Sequence, residues 1–441
     1  MQNIKNIFVK KNFLVYGLGK SGLSSYFFLK NNNNVDLFDD KKNLFKEGVV
    51  NKSLVSFKNI NKKKYDFIVI SPGINIYKCV LSNFLKKNLN KIITDLDIYY
   101  INYKKNLNIT ITGTNGKSTT VKIIFEILKK QKKDVRVVGN IGNPILLEKK
   151  IKPGTIFVIE ASSYQIEYSK YFKANYAALL NITPDHLERH GTFQKYINAK
   201  FKLIKNQTNK DFSFLDTENK YIHRKLINNK IKSKIIKVNN KIEDIDYKKI
   251  KNPYFLTEGN KQNLLFVFSI IKKLGFQKNI IFKTINKFKG LKYRQEIVYK
   301  SKSFTLINDS KSTSYSSSVN ILKSLKKTYW ILGGLPKKND KFLMRKKDCV
   351  NFKAYIFGKN RKYFIKELKN KIKINHFKNL KEAIKKIILD FKNQKNQEHH
   401  TILFSPASAS FDEFNNFEDR GQKFNSLVKK LKLRRMINAR Y

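Results

Sequence analysis

One seven-residue segment constrains this chain more than any other: Gly113-Thr114-Asn115-Gly116-Lys117-Ser118-Thr119. It follows an apolar run at 108–112 that reads as a buried strand, and it precedes a helical pattern over 120–130. Strand, glycine-rich loop and helix in that order form a phosphate cradle. Glycines let backbone N–H groups approach phosphate oxygens, and the helix N-terminus adds a positive dipole end. Lys117 can bridge outer phosphates, and a Ser118 or Thr119 hydroxyl can ligate Mg²⁺. The general pattern places a glycine two residues before Gly113, where this chain has Ile111, so the loop is a shortened variant. It predicts nucleoside triphosphate binding within a parallel α/β sheet.

The grammar around the loop agrees. Strands are predicted at 12–16, 35–38 and 65–70 with a helix over 22–30, then at 108–112, 135–138, 155–159 and 177–180. A third group follows at 305–307, 329–332, 354–357 and 401–404, with helices over 381–391 and 421–432. Further helices are expected over 261–274 and 279–287, while 206–252 is Lys- and Asn-rich and weakly patterned. Strands alternating with helices predict parallel sheets. A chain of 441 residues suggests about three domains, and we place them at 1–95, 96–291 and 292–441. A second glycine loop, Gly17-Leu18-Gly19-Lys20-Ser21-Gly22, follows the first strand, with Asp39 at the end of the next. That is the dinucleotide fingerprint. The motif alone leaves open NAD(P), and with it an oxidoreductase, or another diphosphate ligand such as a nucleotide sugar.

Charge is the conspicuous compositional feature. The chain holds 91 Lys+Arg against 33 Asp+Glu, a net +58, which invites a nucleic-acid reading. The three segments carry +11, +23 and +24, so no tail or stripe concentrates the charge. We read it as compositional drift toward Lys and Asn, and expect no nucleic-acid partner. Residues 401–420 depart from this background at −3. Cys79 and Cys349 are the sole cysteines, which excludes a disulfide framework and suits a reducing compartment. No apolar run approaches the roughly 18 residues of a membrane span. The apolar 13–16 stretch runs straight into glycines, against a signal peptide. The His399-His400 pair lies in a Gln/Asn-rich stretch and reads as loop rather than a metal site.

Several motifs line up in order: Gly113–Thr119, Asn140-Ile-Gly142, Glu160-Ala-Ser-Ser-Tyr-Gln165, Asn181-Ile-Thr-Pro-Asp-His186, Lys200, Asn308-Asp-Ser-Lys311 and Ser405-Pro-Ala-Ser-Ala-Ser410. Together they resemble the Mur ligases, the ATP-dependent enzymes that add amino acids to the peptidoglycan precursor, over essentially the whole chain. Ser71-Pro-Gly-Ile74, 308–311 and 405–420 resemble more narrowly the member that adds D-glutamate. The resemblance implies a Rossmann-like UDP-binding domain, a central ATP-binding domain and a C-terminal Rossmann-like domain. It also implies a cytoplasmic monomer and a reaction. ATP phosphorylates the terminal carboxylate of UDP-MurNAc-L-Ala, and the D-glutamate amine displaces phosphate from the acyl phosphate.

Roles follow by matching positions. Gly113, Thr114, Asn115, Gly116, Lys117, Ser118 and Thr119 match the ATP loop, with Asn263, Arg294 and Asp309 as further ATP contacts. Two histidines usual near the adenine are replaced here by Gly259 and Tyr293. Lys20, Ser21, Asp39, Asp40, Ser71, Gly73 and Asn140 match the UDP-substrate positions. Lys311, Thr313, Lys337, Ser410 and Phe411 match D-glutamate contacts, with Lys338 an alternative to Lys337. Lys117, Glu160, His186, Lys200, Asn140 and Lys311 are the expected catalytic set. Two Mg²⁺ ions are implied, with Ser118 and Glu160 on one and His186 and a carbamylated Lys200 helping to hold the other.

Overall fold

The computed structural model describes residues 7–41, 53–239, 245–337, 340–393 and 398–431. The chain divides into two compact units, Met1–Asp246 with Asn263–Thr284, and Tyr247–Gln262 with Ile285–Tyr441. The division falls inside the helix Glu258–Lys273.

The first unit carries two parallel sheets. The smaller contains β1 (Asn12–Tyr16), β2 (Asn34–Phe38), β3 (Phe67–Ile70) and β4 (Ile92–Ile93) in the order β2-β1-β3-β4. The larger contains β5 (Asn108–Thr112), β6 (Val135–Gly139), β7 (Ile156–Glu160), β8 (Tyr176–Leu179), β9 (Phe212–Leu215) and β10 (Lys234–Lys237) in the order β10-β9-β8-β5-β7-β6. Strand order reverses at β5, and open α/β sheets bind ligands beyond the carboxyl ends of strands at such a switch. β5 is buried along its whole length. Its backbone pairs with β7 on one side and β8 on the other, so the loops after all three strands emerge together.

One apolar core cluster of this unit joins its two sheets. Phe13, Val15 and Leu37 of the small sheet join Phe157, Ile159 and Leu179 of the large one. The helix Asp95–Tyr103 supplies Leu96, Ile98 and Tyr99 between them, and the Tyr99 ring meets Phe157 edge-on at 4.8 Å. Asp97 pins that helix. Its Oδ1 accepts the backbone N–H of Lys170 (2.8 Å), Tyr171 (2.6 Å) and Phe172 (2.9 Å), and its Oδ2 accepts that of Thr94 (2.9 Å).

The second unit holds β11 (Glu296–Lys300), β12 (Phe304–Asn308), β13 (Thr328–Gly333), β14 (Phe352–Phe357), β15 (Lys373–Phe377) and β16 (His400–Phe404), ordered β11-β12-β16-β13-β14-β15. All pairs are parallel except β11 with β12. The loops that follow β12, β16 and β13 again share one end of the sheet.

Expectation and structure differ at particular elements. The weakly patterned 206–252 stretch contains β9, the helix Lys220–Ile227 and β10. Lysines at exposed positions of β10 hide its pattern. β11 and β15 are half-exposed edge strands without the apolar run of a central strand. The His pair is not all loop. His400 opens β16 and is buried, its ring stacked on Tyr329. The last helix spans Phe417–Lys430, starting four residues earlier than expected because Asn416 caps it; Lys432 lies outside the described residues. No helix among the described residues is long and apolar enough to cross a membrane.

Candidate active site

The phosphate loop leaves β5 through Gly113 and enters the helix Lys117–Lys130 through Gly116, which is left-handed at φ 86°. The helix therefore begins at Lys117, three residues before the apolar pattern that announces it. A side chain at Gly116 is excluded twice over, by its backbone angle and by Asn263, whose Oδ1 lies 2.0 Å from where a Cβ would stand. Asn181 fixes the loop from the end of β8. Its carbonyl accepts the Thr114 N–H (3.0 Å), its Oδ1 accepts the Asn115 N–H (2.9 Å), and its amide donates to the Asn115 carbonyl (3.2 Å). Lys117 curls back, its Nζ donating to the carbonyls of Gly113 (2.7 Å) and Thr114 (2.8 Å). An ammonium thus stands at a helix N-terminus, a pairing that suits an anion.

Glu160, the last residue of β7, is almost fully buried beside the loop. The Ser118 hydroxyl donates to its Oε2 (2.5 Å), and the Asn140 amide donates to its Oε1 (2.8 Å). The Asn140 backbone N–H binds the Glu160 carbonyl (2.9 Å), and Gly139 permits the approach, since a Cβ there would stand 2.4 Å from that oxygen. Three residues from three separate motifs therefore form one node. A carboxylate, a hydroxyl and a carboxamide are hard oxygen donors, the set that fits Mg²⁺.

Lys200 comes from the helix Phe193–Lys205 and is 2% exposed. Its Nζ donates to the Gly113 carbonyl (2.8 Å) and lies 4.8 Å from the centre of the Tyr196 ring. Burial, with Lys117 nearby, holds this amine well below the ordinary lysine range, against the opposing pull of Asp185 and Glu160. The Tyr196 hydroxyl meets the Thr114 hydroxyl (2.9 Å), tying the helix to the loop. His186 has a left-handed backbone (φ 53°) and lies between Asp185 (3.4 Å) and Glu188 (3.6 Å). His186 and Lys200 share Tyr196 as a neighbour, with the imidazole centroid 6.4 Å from that ring. Among the described residues no group of three or more His, Cys, Asp or Glu side chains is assembled to hold a metal. A carbamate on Lys200 would add the oxygen donors that this position lacks.

The first glycine loop is held from below. Ser71 donates to the Gly17 carbonyl (2.5 Å), and a Cβ on Gly22 would collide with that same oxygen at 1.9 Å. Asp39 accepts the backbone N–H of Leu18 (2.7 Å) and of Lys41 (2.9 Å), while Asp40 accepts the Tyr16 hydroxyl (2.5 Å). Both carboxylates therefore shape the loop. Lys20 and Ser21 stand at the start of the helix Lys20–Leu29, and Lys20 and Gly73 are exposed.

In the second unit Asp309 follows β12 and is buried. It accepts the Gln295 N–H (3.1 Å) and the Ser405 hydroxyl (3.0 Å), and burial pushes its carboxyl up to about 7. Thr313 and Lys337 are half-buried, Ser410 is buried, and Lys338 lies outside the described residues. Phe411 is 71% exposed. The aromatic ring beside Lys311 is Phe417, with the Lys311 Nζ 4.1 Å and the Arg294 guanidinium 5.7 Å from its centre. Sequence reading missed Phe417. It also missed Arg420, fully buried, which donates to Ser310 (3.1 and 2.8 Å) and Ser408 (3.0 Å) and so ties the loop after β12 to the loop after β16. The signal for both was the polar 415–420 run, where a lone Arg stands in an otherwise acidic stretch.

The chain is similar to known proteins over nearly its whole length. Residues 111–280 match the Mur ligase middle domain. The chain is 34% identical over 448 residues to a UDP-N-acetylmuramoylalanine–D-glutamate ligase of Rickettsia felis, covering 96% of this chain and 98% of that one. It is 34% identical over 429 residues to the protein of the same name from Francisella tularensis subsp. tularensis, covering 95% and 96%. Among solved structures it resembles the MurF ligase of Thermotoga maritima in complex with ADP, with a TM-score of 0.58, 15% identity and coverage of 98% and 100%. It also resembles the UDP-N-acetylmuramate-alanine ligase MurC of Thermotoga maritima, with a TM-score of 0.54, 17% identity and coverage of 96% and 100%. The structural likenesses speak for the fold and the near-full-length identities for descent: the chain belongs to the Mur ligase family and groups with its UDP-N-acetylmuramoylalanine–D-glutamate ligases.

Proposed function

We propose that this chain is an ATP-dependent carbon–nitrogen ligase that joins D-glutamate to UDP-N-acetylmuramoyl-L-alanine in peptidoglycan precursor synthesis. The acceptor and amino acid follow the names of its near-full-length relatives. The observation that carries the chemistry is the Ser118–Glu160–Asn140 node beside the phosphate loop. Functionally, residues 1–95 serve the UDP substrate, 96–291 serve ATP, and 292–441 serve D-glutamate and part of the nucleotide.

Phosphoryl transfer to a carboxylate gathers negative charge, so the protein's task is to position and neutralise. Lys117 and the helix N-terminus receive the ATP phosphates. Asn140, held by Glu160, orients the acceptor carboxylate. That carboxylate attacks the γ-phosphorus as ADP leaves; the free amine of D-glutamate then attacks the acyl carbon and phosphate departs. Ser118 and Glu160 would hold one Mg²⁺, and His186 with carbamylated Lys200 a second. Bound Mg²⁺ supplies polarisation of phosphoryl oxygens and charge neutralisation. The lowered basicity of Lys200 supports carbamylation, because only the unprotonated amine attacks CO₂. Lys311, whose ammonium lies over the Phe417 ring, is assigned to a D-glutamate carboxylate. Thr313, Lys337 and Ser410 are assigned to the same ligand. Arg294, Asp309 and Asn263 are assigned to the adenine nucleotide, and Lys20, Ser21, Ser71 and Gly73 to the UDP end. We take the enzyme to act as a cytoplasmic monomer, a reading that the two unpaired thiols suit.

The test is phosphate release from ATP in the presence of UDP-MurNAc-L-Ala and a panel of amino acids. Release that requires D-glutamate is expected. Release driven instead by L-alanine or diaminopimelate refutes the assignment.

A further inference from the structure

Arg189 has no place in the chemistry above, yet its environment is unusual. Both Nη atoms are shielded from solvent, and neither has a hydrogen-bond acceptor among the described residues. The guanidinium lies over the face of Tyr164, 5.1 Å from the ring centre. Three carboxylates lie near histidines around that ring: Asp185 and Glu188 flank His186, and Glu167 lies 3.6 Å from His190. Shielded Nη groups without acceptors cost stability, and buried polar groups are nearly always satisfied. A cationic planar fork matches a carboxylate or phosphate oxygen pair.

Position selects the ligand. Toward the phosphate loop, Arg189 is screened by rings: Tyr164 packs on His186 and His190, these pack on Tyr196, and the Tyr196 hydroxyl meets Thr114. The ATP phosphates therefore lie on the far side of that stack. Arg189 also acts electrostatically on Tyr168, which packs with Ile74 and Ile76, the residues that follow Ser71–Gly73 in the chain. That loop is assigned to the nucleotide-linked acceptor. We propose that Arg189 binds an oxyanion of this acceptor, either a diphosphate oxygen pair or a carboxylate, and positions it for phosphorylation. The inference rests on the functional reading above.

The test uses the full-length chain with Arg189→Met and Arg189→Lys. By isothermal titration without ATP, the affinity of Arg189→Met for UDP-MurNAc-L-Ala is expected to fall about 10- to 100-fold, the size of a lost charged hydrogen-bond pair. KM for this substrate rises in step, while KM for ATP and D-glutamate stays within about twofold; Arg189→Lys recovers part of the loss. The ligand-free melting temperature of Arg189→Met is expected to hold or rise, because two shielded Nη groups without acceptors have been removed. UDP-GlcNAc, which carries the diphosphate without the acceptor carboxylate, separates the two sources. Weakened binding of both ligands assigns the diphosphate, and weakened binding of UDP-MurNAc-L-Ala alone assigns the carboxylate. A lower ligand-free melting temperature with unchanged affinity marks a structural residue and overturns the proposal. If the unmodified chain does not bind UDP-MurNAc-L-Ala, the functional reading falls and this inference with it. Binding that survives in Arg189→Met overturns this inference alone.

Discussion

Gly116 offers a perturbation whose cost is readable from the structure. Gly116→Ala keeps a backbone at φ 86°, which costs an L-residue about 1–2 kcal/mol. The new Cβ would lie 2.0 Å from Asn263 Oδ1 and 2.9 Å from its Cγ, so the carboxamide must retreat by about 1.4 Å to reach ordinary contact. Asn263 is buried, and such overpacking costs roughly 1–3 kcal/mol. The single variant should lose about 2–5 kcal/mol. Asn263→Ala in the same chain removes the collision and leaves the backbone term. The double-mutant cycle should therefore show a favourable coupling of about 1–3 kcal/mol. Urea denaturation followed by far-ultraviolet circular dichroism measures it, and ATP affinity of the same four proteins reports the loop's shape. Strict additivity of the two substitutions would refute the argument, because backbone strain alone would then account for the glycine.

Three further outcomes are expected. Burial raises Asp309 from 3.8 to about 7, so the unfolded chain releases this proton first; its contribution to stability is intact below about pH 4 and is lost as the pH rises to about 7. The stability of Asp309→Asn relative to the unaltered chain should accordingly grow between pH 4 and 7 and then level off, and a flat difference in denaturation midpoints would contradict this. Lys200→Ala should lose ligase activity and regain part of it with short carboxylic acids, which replace the carbamate; absence of rescue counts against carbamylation. Asp97→Ala leaves four backbone N–H groups without their acceptor and should cost about 3–5 kcal/mol by chemical denaturation, with Asp97→Asn losing less.

Much of the first unit was legible because its signals are local. Glycines at a strand end, a Lys-Ser pair and a following helix are consecutive in the chain, and their physics acts between neighbours. Elements were lost where the pattern is weakest. β10 carries lysines at both ends, and β11 and β15 are half-exposed edges whose apolar content does not separate them from loop.

Residue chemistry along the chain was enough for the parallel α/β class, the phosphate loop and the order of the motifs. Only folding brought together groups far apart in sequence. Ser118, Asn140 and Glu160 meet because β5, β6 and β7 are parallel neighbours whose carboxyl ends open to the same side. Lys200 is one lysine among dozens until burial strips it of water and lowers its basicity. Phe417 rather than Phe411 stands beside Lys311 because the capped helix turns its first residue toward that loop while Phe411 is left in solvent. Arg189 gains significance only from its tertiary setting, where both Nη atoms are shielded from water and find no acceptor among the described residues. Pattern reports what a residue can do. Burial, and the partners that the sheet order supplies, decide which copy of that residue does it.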